Sequence, residues 1–429
     1  MIKKRVYLRR NQLVVLALAS FMLPMQAVVA EETDFAMALQ TTLSQHPTLT
    51  GQYAEVEAKD FAGDSARAQR YPSISGQVSA QHTDTYPIGI RARQPLWAFG
   101  RIDSGIAYAD TDMSVQEIAL LQLKRQLIDE TAVAYASIQG GRERLSVALE
   151  NVTALESMYQ QIDRRAQGQL ASLADVRLAK ARLLQAQAQK ERIASELQVA
   201  QNELLALTQT PVMTVAPVPE TVTDLPNVLE LMTLALDSSA DIRLKTENIA
   251  LAKADVDRER AAPMPTVYLQ ADYFYNDQAA GTSDFRVGVN IEANLEGMGF
   301  VAFGRNNAAD ARLRSVNADL DASRNEVKRN INSLYTNRVA QKTIMASHRY
   351  SVAELSEILL SYQRQYEAGQ KPWLDVLNMQ RELTEQKYQL SQAHNEWLIY
   401  SLKLAAFVGT LDTLAGEKTL SDEQNVAQE

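Results

Sequence analysis

The chain is 429 residues long, with 52 acidic residues against 43 basic ones and a formal net charge of −9 at pH 7. So acidic a chain repels a phosphate backbone, which excludes nucleic acid as a partner. It contains no cysteine, which excludes disulfides and a lipid-modified cysteine behind an export signal.

Residues 1–30 read as a cleaved export signal. Lys3, Lys4, Arg5, Arg9 and Arg10 form a positive leader, 13–23 an apolar stretch, and Val28-Val29-Ala30 a cleavage site of small residues. The stretch is too short to cross a bilayer, for which about 20 apolar residues are needed. Residues 31–220 then form a first repeat, 221–412 a second, and 413–429 a flexible C-terminal tail.

In the first repeat, 33–70 reads as a helix with Phe35, Leu39 and Leu43 on one face, closed by Pro72, and its strongest break is His46-Pro47. From Pro72 the period becomes two. A strand over about 72–86 alternates Ile74, Gly76, Val78 and Ala80 with Ser73, Ser75, Gln77 and Ser79. A second, over about 87–97, alternates Ile88, Ile90 and Ala92 with Gly89, Arg91 and Arg93. Arg101 opens a helical stretch without proline until Pro211, and a hairpin near Gly168 divides it into helices over 101–167 and 170–208.

The second repeat reads as a helix over 226–262, strands over about 265–277 and 284–296, then helices over 305–367 and 373–410. Val267, Leu269, Ala271 and Tyr273 share one face of the third strand. Phe285, Val287, Val289, Ile291, Ala293 and Leu295 share one face of the fourth. Eleven residues of strict alternation match the ~9–11 that a tilted transmembrane strand needs. A soluble sheet packed on one side is the alternative reading. Four strands cannot close a barrel alone, because open edges in lipid leave backbone groups unsatisfied, whereas three copies would supply twelve strands.

The halves match in detail. Tyr71-Pro72-Ser73-Ile74 returns as Met264-Pro265-Thr266-Val267, Ala98-Phe99-Gly100-Arg101 as Ala302-Phe303-Gly304-Arg305, and Asp175-Val176 as Asp375-Val376. Such a duplication sets the architecture before any single motif does. The fold class expected is mainly α with transmembrane β, built from four strands and long antiparallel helices per subunit.

Over 33–412 the chain resembles the TolC-type outer-membrane factors. The resemblance lies in the repeat, in Gln94-Pro95-Leu96-Trp97-Ala98-Phe99-Gly100-Arg101, and in two hairpin signatures. These are Gln167-Gly168-Gln169-Leu170 with Asp175-Val176, and Tyr366-Glu367-Ala368-Gly369 with Leu374-Asp375-Val376-Leu377. It implies a homotrimer whose twelve-stranded barrel in the outer membrane stands on a twelve-helix periplasmic α-barrel. Such ducts dock a periplasmic adaptor and an inner-membrane ABC transporter or proton-driven pump. The Gln-Pro-Leu-Trp-Ala-Phe-Gly-Arg stretch resembles most the type I secretion branch that exports large adhesin-like proteins; drug efflux is the alternative. A periplasmic adaptor and a coiled-coil protein without transport are the competing classes.

By the same resemblance, a periplasmic gate falls on Asp175, Tyr366, Lys371, Asp375 and Asn378, with Asp375 as a ring of acids. Helix capping is the competing role for Asp175 and Asp375. Gly168 and Gly369 are expected at the hairpin apices with positive φ, beside Gln169, Leu170 and Gln370 as adaptor-docking residues. Trp97, Phe99 and Phe303 are expected at the membrane boundary. No catalytic or metal site is expected, because His46, His82, His348 and His394 are scattered. No cofactor is expected either.

Overall fold

The computed structural model describes residues 34–78, 88–211, 215–276, 282–294 and 296–416. The export-signal reading and the expected continuation of the first strand over 79–86 lie outside the described residues, as does most of the expected tail.

The first repeat runs α1 (Phe35–Gln45), α2 (Pro47–Ala68), β1 (Ser73–Val78), β2 (Ile88–Trp97), α3 (Arg101–Gln167) and α4 (Leu173–Thr208). A short α5 (Glu220–Thr223) leads into the second: α6 (Val228–Ser238), α7 (Ala240–Ala261), β3 (Thr266–Asn276), β4 (Thr282–Glu292), α8 (Phe300–Glu367) and α9 (Trp373–Phe407). Last comes α10 (Thr410–Leu414), so the expected tail begins inside a helix, and Ala415 behind it is buried.

The expected helix over 33–70 is two helices. His46 is extended (ψ 124°), as a residue before proline must be, and Pro47 opens α2 where its missing N–H costs nothing. The expected helix over 226–262 breaks at the matching place without a proline. There Ser239 is extended (ψ 122°) and its hydroxyl accepts from Ile242 N, capping α7.

The long helices are 67 and 68 residues, about 100 Å each at ~1.5 Å per residue. Helix α8 begins at Phe300 and not at Arg305, so the starts of the two long helices lie 199 residues apart. Ala302-Phe303-Gly304-Arg305 therefore lies inside α8 and is no structural copy of Ala98-Phe99-Gly100-Arg101. The true counterpart of Phe99-Gly100 (φ 48° and 84°) is Met298-Gly299 (φ 58° and 90°). Both pairs use left-handed backbone to turn a strand into a helix.

The four strands form one antiparallel meander in the order β1-β2-β3-β4. The register aligns Ile74, Ala92, Ala271 and Val287 in one row, and Gly76, Ile90, Tyr273 and Phe285 in the next. This apolar face is bare: Phe285, Val287, Val289 and Ile291 are all exposed, the last by 67%. The opposite face carries ion pairs, Arg91 to Asp272 at 2.6 Å, Arg93 to Glu292 at 3.1 Å and Arg286 to Asp284 at 2.5 Å. The sheet ends at Glu292, short of the expected 296, because the chain enters a tight turn at Glu296–Gly299.

The main core gathers Phe35 and Leu39 of α1, Ile128, Tyr135 and Ile138 of α3, Leu204 of α4, and Leu398 and Leu402 of α9. Phe35 meets Tyr135 edge-on at 5.2 Å, and the Tyr135 hydroxyl donates to Ala216 O at 2.7 Å. Next to this core α3 carries two glycines where alanine would favour the helix by up to ~1 kcal/mol each. A Cβ on Gly140 would lie 2.4 Å from the Asn395 side chain, and one on Gly141 3.1 Å from Leu197. The glycines let α9 and α4 close on α3. Gly140→Ala should therefore lower stability by about 1–3 kcal/mol, read as a drop in the thermal midpoint of the helical signal; an unchanged or raised midpoint would mean Asn395 simply rotates away.

Candidate functional site

The hairpin ends are built by one motif. In the first, Gln169 N donates to Ala166 O at 3.0 Å and Leu170 N to Arg165 O at 2.8 Å. In the second, Gly369 N donates to Tyr366 O at 3.0 Å and Gln370 N to Gln365 O at 2.8 Å. This closure needs one left-handed residue past the helix end. Gly369 fills it at φ 74°, as expected, but in the first hairpin Gln169 does so at φ 59° while Gly168 has an ordinary φ of −82°. The sequence expectation for Gly168 is corrected accordingly, because the turn is set by hydrogen-bond register and not by the nearest glycine. Gln169→Gly should raise the thermal midpoint slightly, for a gain of up to about 1 kcal/mol, whereas Gly369→Ala should lower it.

The five residues expected at the gate divide. Asp175 forms a capping box with Ser172: its N–H donates to Ser172 Oγ at 3.1 Å, and its carboxylate accepts from Ser172 N at 3.4 Å. Lys371 pairs with Asp375, Nζ to Oδ2 at 3.1 Å, and its ammonium lies 3.7 Å from the centre of the Tyr362 ring. The bond to Asp375 leads in holding the Lys371 amine above its ordinary value, helped by Tyr362 and opposed by burial. Within the chain, then, Lys371 is engaged by its own hairpin and not by Asp175. Asn378 is exposed. Tyr366 lies between the hairpins, with the Arg165 guanidinium 4.6 Å from its ring centre and Trp373 at 5.2 Å.

Sequence reasoning missed Arg165, Tyr362 and Trp373. Buried Trp373 joins Leu155, Met158 and Ile162 of α3, Leu183 of α4 and Leu359 of α8 in an apolar cluster that binds the hairpins together. The only advance signal was the four-residue spacing of Lys371 and Asp375. At the repeat-matched position Leu173 is exposed by 73%, and Leu170 nearby and, in the second hairpin, Leu374 are exposed too.

Between this tip cluster and the main core, the seam of α3 with α9 is polar. Thr384 Oγ1 donates to Asn151 Oδ1 at 3.0 Å, Gln380 Nε2 donates to the same oxygen at 3.3 Å, and Lys387 pairs with Glu150 at 2.6 Å. His394 Nδ1 meets Glu143 at 3.0 Å, and that bond raises the imidazole's affinity for a proton against burial and the opposing charge of Arg349. A raised folded-state pKa stabilises below the unfolded value, about 6.5, and the gain is lost as pH rises through the folded one. The parent should therefore melt higher as pH falls from about 8 to about 6, and His394→Gln should flatten that rise.

At the foot of the sheet Trp97, Phe99 and Phe303 are all exposed, and the Trp97 and Phe99 rings lie 5.9 Å apart. Phe303 stands in the first turn of α8, among residues 300–303. No helix among the described residues is long and apolar enough to cross a membrane.

A family model described as outer membrane efflux protein matches residues 38–209 and 231–410. The outer membrane efflux protein BepC of Brucella suis biovar 1 (strain 1330) is 22% identical over 396 residues, covering 87% of this chain and 85% of its own. The proteases secretion protein PrtF of Dickeya chrysanthemi is 25% identical over 207 residues, covering 45% of this chain and 43% of its own. A crystal structure of a membrane protein from Pseudomonas aeruginosa superposes with a TM-score of 0.76 at 20% identity, over 87% of this chain and 90% of that one.

Proposed function

The chain belongs to the outer membrane efflux protein family, and from that premise we propose that three copies close a twelve-stranded barrel in the outer membrane, continued by a periplasmic barrel of α3, α4, α8 and α9 from each copy. One observation carries this reading. The sheet has a bare apolar face, an ion-paired polar face and two open edges, β1 and β4. In lipid an open edge costs several kcal/mol per unpaired backbone group, so β4 of one copy pairs with β1 of the next, the apolar face meets lipid and the ion pairs line the pore. Residues 1–30 serve as the export signal that delivers the chain.

In mild detergent the protein should have the mass of a trimer by native mass spectrometry. A monomer or dimer that kept its β signal would overturn the barrel.

The duct works with a periplasmic adaptor, received at Gly168, Gln169, Leu170, Gly369 and Gln370, and an inner-membrane ABC transporter or proton-driven pump. Our reading is type I secretion of large adhesin-like proteins, supported by the 94–101 stretch and by kinship with PrtF, whose name is a secretion protein's. The second reading is small-molecule efflux, favoured by the fuller match to BepC. A deletion strain separates them: loss of a large protein from the medium supports secretion, and unchanged secretion with heightened drug sensitivity supports efflux. The gate is read as the tip, where Arg165 against Tyr366 and the Lys371–Asp375 pair brace the hairpins.

A further inference from the structure

The turn at Glu296–Gly299 has three successive left-handed residues, Gly297 (φ 56°), Met298 (φ 58°) and Gly299 (φ 90°). Glycine adopts this backbone freely, but methionine does so only against the clash of its Cβ with the chain. The turn presents Met298 at 91% exposure, the highest of any large apolar side chain among the described residues, and Phe300 beside it at 77%. Local strain that yields an exposed apolar tip instead of a packed one marks a contact made elsewhere.

The surroundings identify that contact. The turn follows β4, whose row Phe285, Val287, Val289 and Ile291 is bare, so two exposed apolar features follow one another closely along the chain. Polar groups gather beside it: Arg305 lies 3.8 Å from Glu296 and is exposed, and Arg101 shares one small cavity with Glu296, Gly299 and Arg305. An apolar tip beside arginines matches acyl chains beside a phosphate layer.

We propose that Met298 and Phe300 form a lipid-seated finger in the periplasmic leaflet of the outer membrane, with Arg305 at its phosphate level. The proposal rests on the reading that the four strands span that membrane. It adds an anchor at the foot of the barrel, fixing how deep β4 sits and how α8 leaves the bilayer. On the other strand-to-helix junction the matching left-handed turn holds Phe99 itself, preceded by Trp97, and their rings meet at a tilt 5.9 Å apart.

The chain has no cysteine, so a nitroxide label on Met298→Cys, Val289→Cys or Leu170→Cys reports one site in each full-length protein. Each variant is reconstituted into phosphatidylethanolamine–phosphatidylglycerol vesicles. Collision with oxygen, which partitions into lipid, is compared with collision with a water-soluble nickel chelate. The oxygen-to-nickel ratio at 298 and at 289 should exceed that at 170 several-fold. A lipid-like ratio at 289 with a ratio at 298 like that at 170 overturns the finger and leaves the barrel standing. An immobilised label at 298 shielded from both reagents means a second copy covers the turn, which also overturns it. A ratio at 289 as low as that at 170 removes the membrane strands and the finger together.

Discussion

Asp412→Ala is expected to be among the most damaging single substitutions in the chain, costing about 3–5 kcal/mol. Its carboxylate Oδ2 accepts from Arg125 Nε at 3.0 Å and Nη2 at 2.7 Å, while Arg125 Nη1 donates to the Ser238 carbonyl. The side chains are only 11% and 5% exposed. One guanidinium thus ties α3 to the end of α6 and to α10, and without Asp412 it is left buried with its charge unmatched. The penalty comes from the orphaned charge and not from a large net gain of the pair. The double replacement Arg125→Met with Asp412→Leu should accordingly recover most of the loss. Thermal melts of the helical signal decide it: a drop in Asp412→Ala no larger than for a surface substitution would mean that the pair is solvated and holds nothing.

The second large effect is electrical and has opposite signs at two neighbouring residues. Lys371 neutralises Asp375 at 3.1 Å, so in the trimer proposed above the tip would present three balanced pairs. Lys371→Ala uncovers three carboxylates at one level of a narrow duct, where low-dielectric walls concentrate the field. Multivalent cations added from the periplasmic side should then block at several-fold lower concentration than in the parent. Asp375→Ala leaves three ammonium groups and should raise the blocking concentration several-fold, and the double variant should return near the parent. Single-channel recordings in planar bilayers provide the measurement. Shifts of the same sign in both single variants would show that charge at this level does not govern entry.

The sequence disclosed what repeats with a strict period. The alternation from Phe285 to Ile291, the His46-Pro47 break and the hairpin at 167–170 were all open to reading, because each follows from local backbone chemistry. The break at Ser239 was not, since a serine cap carries a weaker signal than a proline. The second Ala-Phe-Gly-Arg misled for the opposite reason: its letters match, but the turn that starts α8 is set by Gly297 and Gly299 five residues earlier. At the hairpin ends, residue types located the turns, while partners depended on packing. Nothing local told that Trp373 is buried where Leu173 is bare, or that Arg165 would reach Tyr366 across the hairpins. The cap made by Asp175 was legible as an alternative, and the geometry within the chain is that of a cap.

The sheet's two open edges also bear on how the protein is made. A lone chain in the periplasm carries unpaired β4 backbone beside a row of bare valine, isoleucine and phenylalanine, a template for unwanted strand pairing. The other edge is milder: β1 is six residues long and includes Ser73, Ser75, Gly76 and Gln77. If the barrel closes as proposed, closure requires encounters among three chains, whereas misjoining needs only two exposed β4 edges. Yield should thus depend on how quickly subunits find one another, so overproduction beyond the supply of membrane insertion sites would divert chains into aggregates. The helices fold on contacts within one chain and can be complete beforehand, leaving the sheet as the late, concentration-sensitive step of biogenesis.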